Sequence, residues 1–194
     1  MSDDRIGVFV CHCGTNIAGP VDCHKVSEAV ARTGVALVRE HSYMCTGGQS
    51  QIVSDIEEYG LNRIVVAACS PRIHEETFRT VCTVAGLNPY MMEMVNIREQ
   101  CSWCHTYEPD EATQKAIDLV LMGIEKVKLN EALIPLEVPM TKKALVIGGG
   151  ISGIEASLQL ADLGHEVILV EKGPTIGGKM AQLNKIFPDQ NCSP

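Results

Sequence analysis

A chain of 194 residues, 45% of them hydrophobic, can build one well-buried domain and part of a second, since domains run to roughly 100–150 residues. Its 24 acidic against 16 basic residues give a formal charge of −8 with no Lys/Arg run, which excludes the basic footprint of a nucleic-acid binder. The start, Met1-Ser-Asp-Asp-Arg5, is acidic where a signal peptide is basic, and no apolar stretch approaches the ~20 residues of a membrane span, so a cytoplasmic protein is expected.

In chain order, residues 6–10 form a short apolar run, 20–33 have helical spacing at Val26, Ala29 and Val30, and 35–38 are apolar again, a β-α-β opening. The alternation continues with a helix near 49–58, a strand at 64–68, a helix over 75–85, a strand over 91–97 and a long helix over 110–129. Strands alternating with helices predict a parallel sheet with helices on its faces, a Rossmann- or flavodoxin-like α/β domain over residues 1–132. Residues 133–142 contain Ile134-Pro-Leu-Glu-Val-Pro-Met140, whose two prolines and missing helical period predict an extended linker. Residues 143–194 open a second domain: a strand at 144–147, the run Gly148-Gly-Gly-Ile-Ser-Gly153, a helix to 163, a turn at Gly164 and a strand at 167–170.

A reducing cytosol keeps thiols free, so nine cysteines point to metal binding or redox chemistry over a disulfide framework. Cys11 and Cys13 follow the first strand, Cys45 follows the second, Cys69 ends the third, and Cys101 and Cys104 follow the fourth. In an open parallel sheet those strand ends share one edge, where ligands collect at the switch in strand order. Six thiols on one edge suit an iron-sulfur cluster or a structural zinc. Gly14, Gly47 and Gly48 are expected to let backbone approach a cluster and to offer N–H groups to its sulfurs. Zinc prefers paired C-x-x-C knuckles, and only Cys101-Ser-Trp-Cys104 has that form, so spacing favours iron-sulfur; a thioredoxin-type dithiol at Cys101/Cys104 is a third reading. Cys82 shares a helical face with Phe78 and Ala85, and Cys23 with Val26 and Val30, so both read as small core residues. His12, His41 and His105 lie in the same loops, where they could ligate or hydrogen-bond a cluster or simply be solvated.

Gly148-x-Gly150-x-x-Gly153 follows a strand and opens a helix, and Glu171 ends the next strand about 20 residues on, the full context of a dinucleotide fingerprint. Gly148 permits the tight turn, Gly150 lets backbone reach a pyrophosphate at the helix N-terminus, Gly153 allows close helix-strand packing, and Glu171 accepts from ribose hydroxyls. Five residues after Glu171 comes a second glycine turn, Gly177-Gly178-Lys179. That extension resembles the start of two-dinucleotide-fold flavoproteins, which favours FAD over NAD. The candidate cofactor-binding residues are Gly148, Gly150, Ile151, Ser152, Gly153, Glu171, Lys172, Gly177, Gly178 and Lys179. Only one β-α-β unit of such an FAD-binding domain is present.

Cys11-His-Cys-Gly14 after a strand, Tyr43-Met-Cys45, Ala68-Cys-Ser-Pro-Arg72, Asn96-Ile-Arg-Glu-Gln-Cys-Ser-Trp103, and Gly177-Gly-Lys-Met-Ala181 with Phe187-Pro188 and Cys192-Ser193 complete the pattern. Together these motifs resemble the N-terminal third of the heterodisulfide reductase A-subunit family, over the whole chain. The resemblance implies an FAD- and iron-sulfur-containing hub of anaerobic metabolism, related to methanogenesis, in which flavin-based electron bifurcation splits electron pairs between a high- and a low-potential acceptor. The partners it implies are other heterodisulfide reductase-type subunits, a hydrogenase or formate dehydrogenase, ferredoxin, and the remainder of the flavoprotein from the same or a second chain. Carried over by position, Cys11, Cys13, Cys45, Cys69 and Cys101 are the ligand candidates for a 4Fe-4S cluster. Five exceed the four ligands of a cubane, so one stands behind the ligand set or the cluster is unusual. Cys104 departs from the family pattern, and its C-x-x-C spacing reads as accidental.

The rival reading is a non-catalytic docking fragment of a larger redox complex, with zinc or no metal. The chain ends Asn191-Cys-Ser-Pro194 where the family reads Cys-Ser-x-Cys. The expectation is an in-frame UGA after Pro194, read as selenocysteine, with a split gene or a chain cut at this point as alternatives.

Overall fold

The structure, a computed structural model, describes residues 4–188 and 190–192. Ser193 and Pro194, on which the expectation about the chain's continuation rests, lie outside the described residues. The chain divides into two compact units, one ending at Pro135 and the other beginning at Leu136.

The first unit runs β1 (Ile6–Cys11), α1 (Thr15–Ala18), α2 (Cys23–Ala31), β2 (Leu37–His41), α3 (Gln49–Tyr59), β3 (Arg63–Ala68), α4 (Pro71–Val84), β4 (Met92–Asn96), a π-helical turn at Arg98–Ser102, and α5 (Pro109–Lys128). The strands form one parallel sheet in the order β2-β1-β3-β4. Central strands β1 and β3 are buried on both faces, as their unbroken apolar runs require. Ile6, Val8 and Val10 join Val65 and Ala67 in a layer with α2 and α5, while Phe9 and Cys11 join Ile64, Val66 and Ala68 in a layer with α3 and α4. Helices thus cover both faces. Helix α5 comes closest at Gly123, where an added Cβ would lie 2.3 Å from Val95 Cγ2.

Two boundaries differ from the sequence expectation for physical reasons. Strand β2 extends over Arg39, Glu40 and His41 because it is an edge strand, half-buried throughout. Arg39 there reaches the fully buried Asp55 carboxylate through Nε and Nη2, both at 3.2 Å. Helix α4 begins at Pro71 because the Ser70 side chain caps the Arg72 N–H and proline at the first helical position lacks only an N–H that would be orphaned there.

In the second unit β5 (Lys143–Ile147) and β6 (Glu166–Val170) pair in parallel, joined by α6 (Ile151–Asp162). A short 3-10 turn at Met180–Gln182 follows, then the antiparallel pair β7 (Lys185–Ile186) and β8 (Asn191–Cys192). Ala144, Val146, Val167 and Leu169 form the half-buried face of the β5-β6 ribbon, whereas Leu145, Ile147, Ile168 and Val170 are exposed. The molecule is therefore α/β with a parallel four-stranded sheet in its first unit. Among the described residues no helix is long and apolar enough to cross a membrane.

Candidate metal centre and dinucleotide site

The chain leaves β1 for β2 on one side and then crosses to β3 on the other, so strand order switches between β1 and β3. The carboxyl ends of these strands flank the crevice in which open α/β sheets bind ligands. Cys11 ends β1, Cys13 follows two residues later, Cys45 lies in the turn after β2, and Cys69 directly follows β3. Cys11 and Cys69 are buried and Cys13 and Cys45 half-buried, all four against the apolar layer of α3 and α4, with Cys13 also packed against the layer of α2 and α5. Burial raises the Cys11 thiol pKa, against the opposing Met44 and Cys13 N–H groups, and pushes that of Cys69 up to about 11, where Arg98 opposes the rise and the neighbouring Cys13 and Cys45 add to it.

Donors face this group, the Cys13 N–H toward Cys11 among them. The Met44 N–H points at Cys11 Sγ (3.3 Å), and Arg98 Nη1 donates to Cys13 Sγ (3.1 Å). The turn that carries Cys13 is tight, with φ of 48° at Cys13 and 57° at Gly14. The backbone conformation at Gly14 favours glycine, and an added Cβ would also lie 2.8 Å from the Tyr43 hydroxyl, which would have to move.

Cys101 stands elsewhere. It sits in the π-helical turn, fully buried in the opposite layer with α2 and α5, and its Sγ donates to the Ala112 carbonyl (3.1 Å). Burial raises its pKa, opposed by Lys115. Cys104 is exposed and donates to the Glu99 carbonyl (3.1 Å). Cys23 and Cys82 are buried, and burial pushes each thiol up to about 12.

The glycine expectation is corrected in one respect. Gly14 N–H donates to the Ser42 carbonyl (3.1 Å), and those of Gly47 and Gly48 to the Tyr43 carbonyl (2.9 and 3.3 Å), because the turn closes on its own backbone. The loop histidines also have protein partners: His12 Nε2 meets Glu40 Oε2 (3.0 Å), His41 Nδ1 accepts from the Tyr43 N–H (3.0 Å), and His105 Nδ1 meets Glu108 Oε2 (2.9 Å). Among the described residues no three Cys, His, Asp or Glu side chains converge on a point that would hold a single metal ion.

In the second unit Gly148 takes φ of 106° and Gly150 caps α6 with an extended backbone. A Cβ at Gly153 would come 1.8 Å from the Gly148 carbonyl oxygen, so the loop folds back on the first helical turn. The second glycine turn docks on the first: Gly177 N–H donates to the Gly149 carbonyl (2.6 Å), and Gly150 and Gly177 form a parallel bridge. Glu171 ties the first glycine turn to the start of the following loop, its two carboxylate oxygens accepting from the N–H groups of Gly149 and Gly173, each at 2.6 Å. The Gly173 and Gly149 N–H groups hold this carboxyl below the usual carboxylate range. A pocket of about 380 Å³ opens at the start of α6, lined by Ile147, Gly148, Gly150, Ile151, Ser152, Gly153, Lys179 and Met180. A Cβ at Gly150 would meet no atom within 4 Å. Lys172 is exposed and lies outside this pocket.

Residues 144–189 match the family described as FAD dependent oxidoreductase. Over 193 residues the chain is 58% identical to an iron-sulfur A subunit of the CoB-CoM heterodisulfide reductase of Methanopyrus kandleri, covering 98% of this chain and 29% of that protein. It is 53% identical over 192 residues to the A subunit of the ferredoxin/F(420)H(2)-dependent CoB-CoM heterodisulfide reductase of Methanosarcina acetivorans, covering 97% and 24%. The A subunit of the H(2):CoB-CoM heterodisulfide,ferredoxin reductase of Methanothermobacter thermautotrophicus is 50% identical over 195 residues, covering 100% and 30%. The chain belongs to the heterodisulfide reductase A-subunit family. It spans less than a third of the length of these relatives. The FAD dependent oxidoreductase match contains the whole run from Gly148 to Lys179, the stretch in which the two glycine turns dock.

Proposed function

We propose that the chain carries an iron-sulfur centre and the first part of an FAD site in an electron-transferring heterodisulfide reductase-type flavoprotein. The observation that carries this reading is the meeting of Cys11, Cys13, Cys45 and Cys69 at the strand-order switch, with Cys101 across the sheet. Four thiols are the complement of a cubane, which binds each thiolate to a different iron and so suits a set spread around a crevice better than a single tetrahedral zinc does. The chemistry of the donor set suits that group. The buried thiols are protonated at neutral pH, as their raised pKa values require, and metal binding would deprotonate them. The Met44 N–H and the Arg98 guanidinium are already placed to stabilise sulfur charge. In this reading Cys101 is structural.

The glycine loop and the pocket at the start of α6 would take the FAD pyrophosphate, with Gly150 leaving room for it and Ile151 and Ser152 presenting first-turn N–H groups. Glu171, which holds the Gly149 and Gly173 N–H groups, would accept from the ribose in this reading. When bound, the cluster supplies one-electron and the flavin two-electron chemistry. In the complete flavoprotein these would link a hydrogenase or formate dehydrogenase, ferredoxin and a disulfide-type acceptor by electron bifurcation. The names of two relatives join ferredoxin to the CoB-CoM heterodisulfide, which supports the ferredoxin and disulfide ends of that scheme.

The test is a set of serine variants of the anaerobically purified chain. Cys45→Ser and Cys69→Ser should lose iron, labile sulfide and visible absorbance, whereas Cys101→Ser should keep all three. Zinc in place of iron, or bleaching by Cys101→Ser alone, would contradict the reading.

A further inference from the structure

We propose that Arg98, opposed by Glu99, sets the reduction potential of the cluster at Cys11, Cys13, Cys45 and Cys69. The inference rests on the cluster assignment above. Arg98 opens the π-helical turn after β4, and its guanidinium is a fork with two different tasks. Nη1 donates to Cys13 Sγ (3.1 Å), across 85 positions of sequence. Nε and Nη2 are gripped by Glu99 Oε1 (3.3 and 2.8 Å), and the Trp103 ring lies 4.8 Å from the guanidinium carbon. The side chain is only 16% exposed. Asn96 Oδ1 accepts from the N–H groups of both Arg98 (3.2 Å) and Glu99 (2.9 Å), which fixes the backbone that presents the pair.

Arg98 and Glu99 also both lie close enough to Cys69 to act on it electrostatically. A clamp needed only for the turn would stop at Glu99 and Trp103; the remaining prong ends on a thiol of the crevice.

One-electron reduction of a thiolate-bound cluster adds one negative charge. A fixed guanidinium, which keeps its proton, stabilises the reduced state, and a hydrogen bond to the ligand sulfur acts in the same direction. The Glu99 carboxylate acts oppositely. The two residues therefore shift the potential with opposite signs.

The experiment is a dithionite titration of the full chain, purified anaerobically, with the reduced cluster followed by electron paramagnetic resonance. Dithionite is the electron donor and the cluster the one-electron acceptor. Arg98→Gln should lower the midpoint potential and Glu99→Gln should raise it. Arg98→Lys, which keeps the charge without the fork, should fall between wild type and Arg98→Gln. Equal potentials in wild type and Arg98→Gln, or shifts of the same sign in Arg98→Gln and Glu99→Gln, would overturn the proposal. If Arg98→Gln fails to hold a cluster, the Arg98→Lys and Glu99→Gln shifts decide: down and up support it, and any other pair overturns it. A wild-type chain without iron and sulfide overturns the cluster assignment and this inference with it, a different result from a cluster whose potential ignores Arg98.

Discussion

Gly150 and Gly153 differ by three positions and predict two different failures. At Gly150 the backbone is extended (φ −75°, ψ −178°), a conformation valine adopts readily, and an added Cβ meets nothing within 4 Å. Gly150→Val therefore costs the fold only the poorer cap at the start of α6, about 1 kcal/mol. Its methyl groups enter the 380 Å³ pocket, where a pyrophosphate would be held by first-turn N–H groups. Losing two such charge-assisted bonds, at about 1.5–3 kcal/mol each, weakens dinucleotide binding by about a hundredfold or more. At Gly153 a Cβ would sit 1.8 Å from the Gly148 carbonyl oxygen, backbone that must shift as a whole. Gly153→Ala should cost about 3 kcal/mol of folding stability. The assay is flavin content and thermal melting of the complete flavoprotein carrying each change. Normal flavin stoichiometry in Gly150→Val, or a loss of stability as large as in Gly153→Ala, would refute the reasoning.

Cys82→Ser should leave iron content unchanged while costing about 1–2 kcal/mol, because it places a hydroxyl in the apolar layer between α3 and α4; urea unfolding and iron analysis read the two effects separately. Stability should fall in alkali. The Cys23 and Cys82 thiols rise from 9.0 to about 12 on folding, so above pH 9 the unfolded chain ionises while the folded one does not. The loss is about 1.4 kcal/mol per pH unit for each thiol between those values, and urea midpoints of the metal-free chain that stay level from pH 9 to about 11 would contradict it. Arg39→Ala strands the fully buried Asp55 carboxylate with Gln51 Nε2 (3.0 Å) as its remaining side-chain donor, and should cost about 2–3 kcal/mol by urea unfolding. In the double variant Arg39→Ala with Asp55→Asn the loss should be smaller than the two single losses added together.

The sequence makes some of this legible because the controlling physics is local. The apolar runs of β1 and β3 announce strands buried on both faces, and the glycine fingerprint is legible because its function is performed by backbone that three glycines leave bare. Strand β2 is harder, because Arg39, Glu40 and His41 satisfy their polar groups against α3, His12 and the following turn instead of presenting an apolar run. The site is legible only as an edge. Spacing puts Cys101 at the same edge as Cys11 and Cys69, but which side of the sheet its side chain takes depends on the π-helical turn at Arg98–Ser102, a five-residue feature without a sequence period. The contacts that Met44 and Arg98 make to the thiols are not legible in the sequence. Met44 acts through its N–H, which residue type does not reveal, and Arg98 acts across 85 positions. An arginine two residues after a strand end, in a cysteine-bearing loop, is the one signal that could have marked it.

Iron and acid-labile sulfide, counted per chain in protein purified without oxygen, test the central claim most directly. Four thiols at the switch between β1 and β3 predict about four of each. A chain holding zinc, or neither iron nor sulfide when prepared without oxygen, would contradict it.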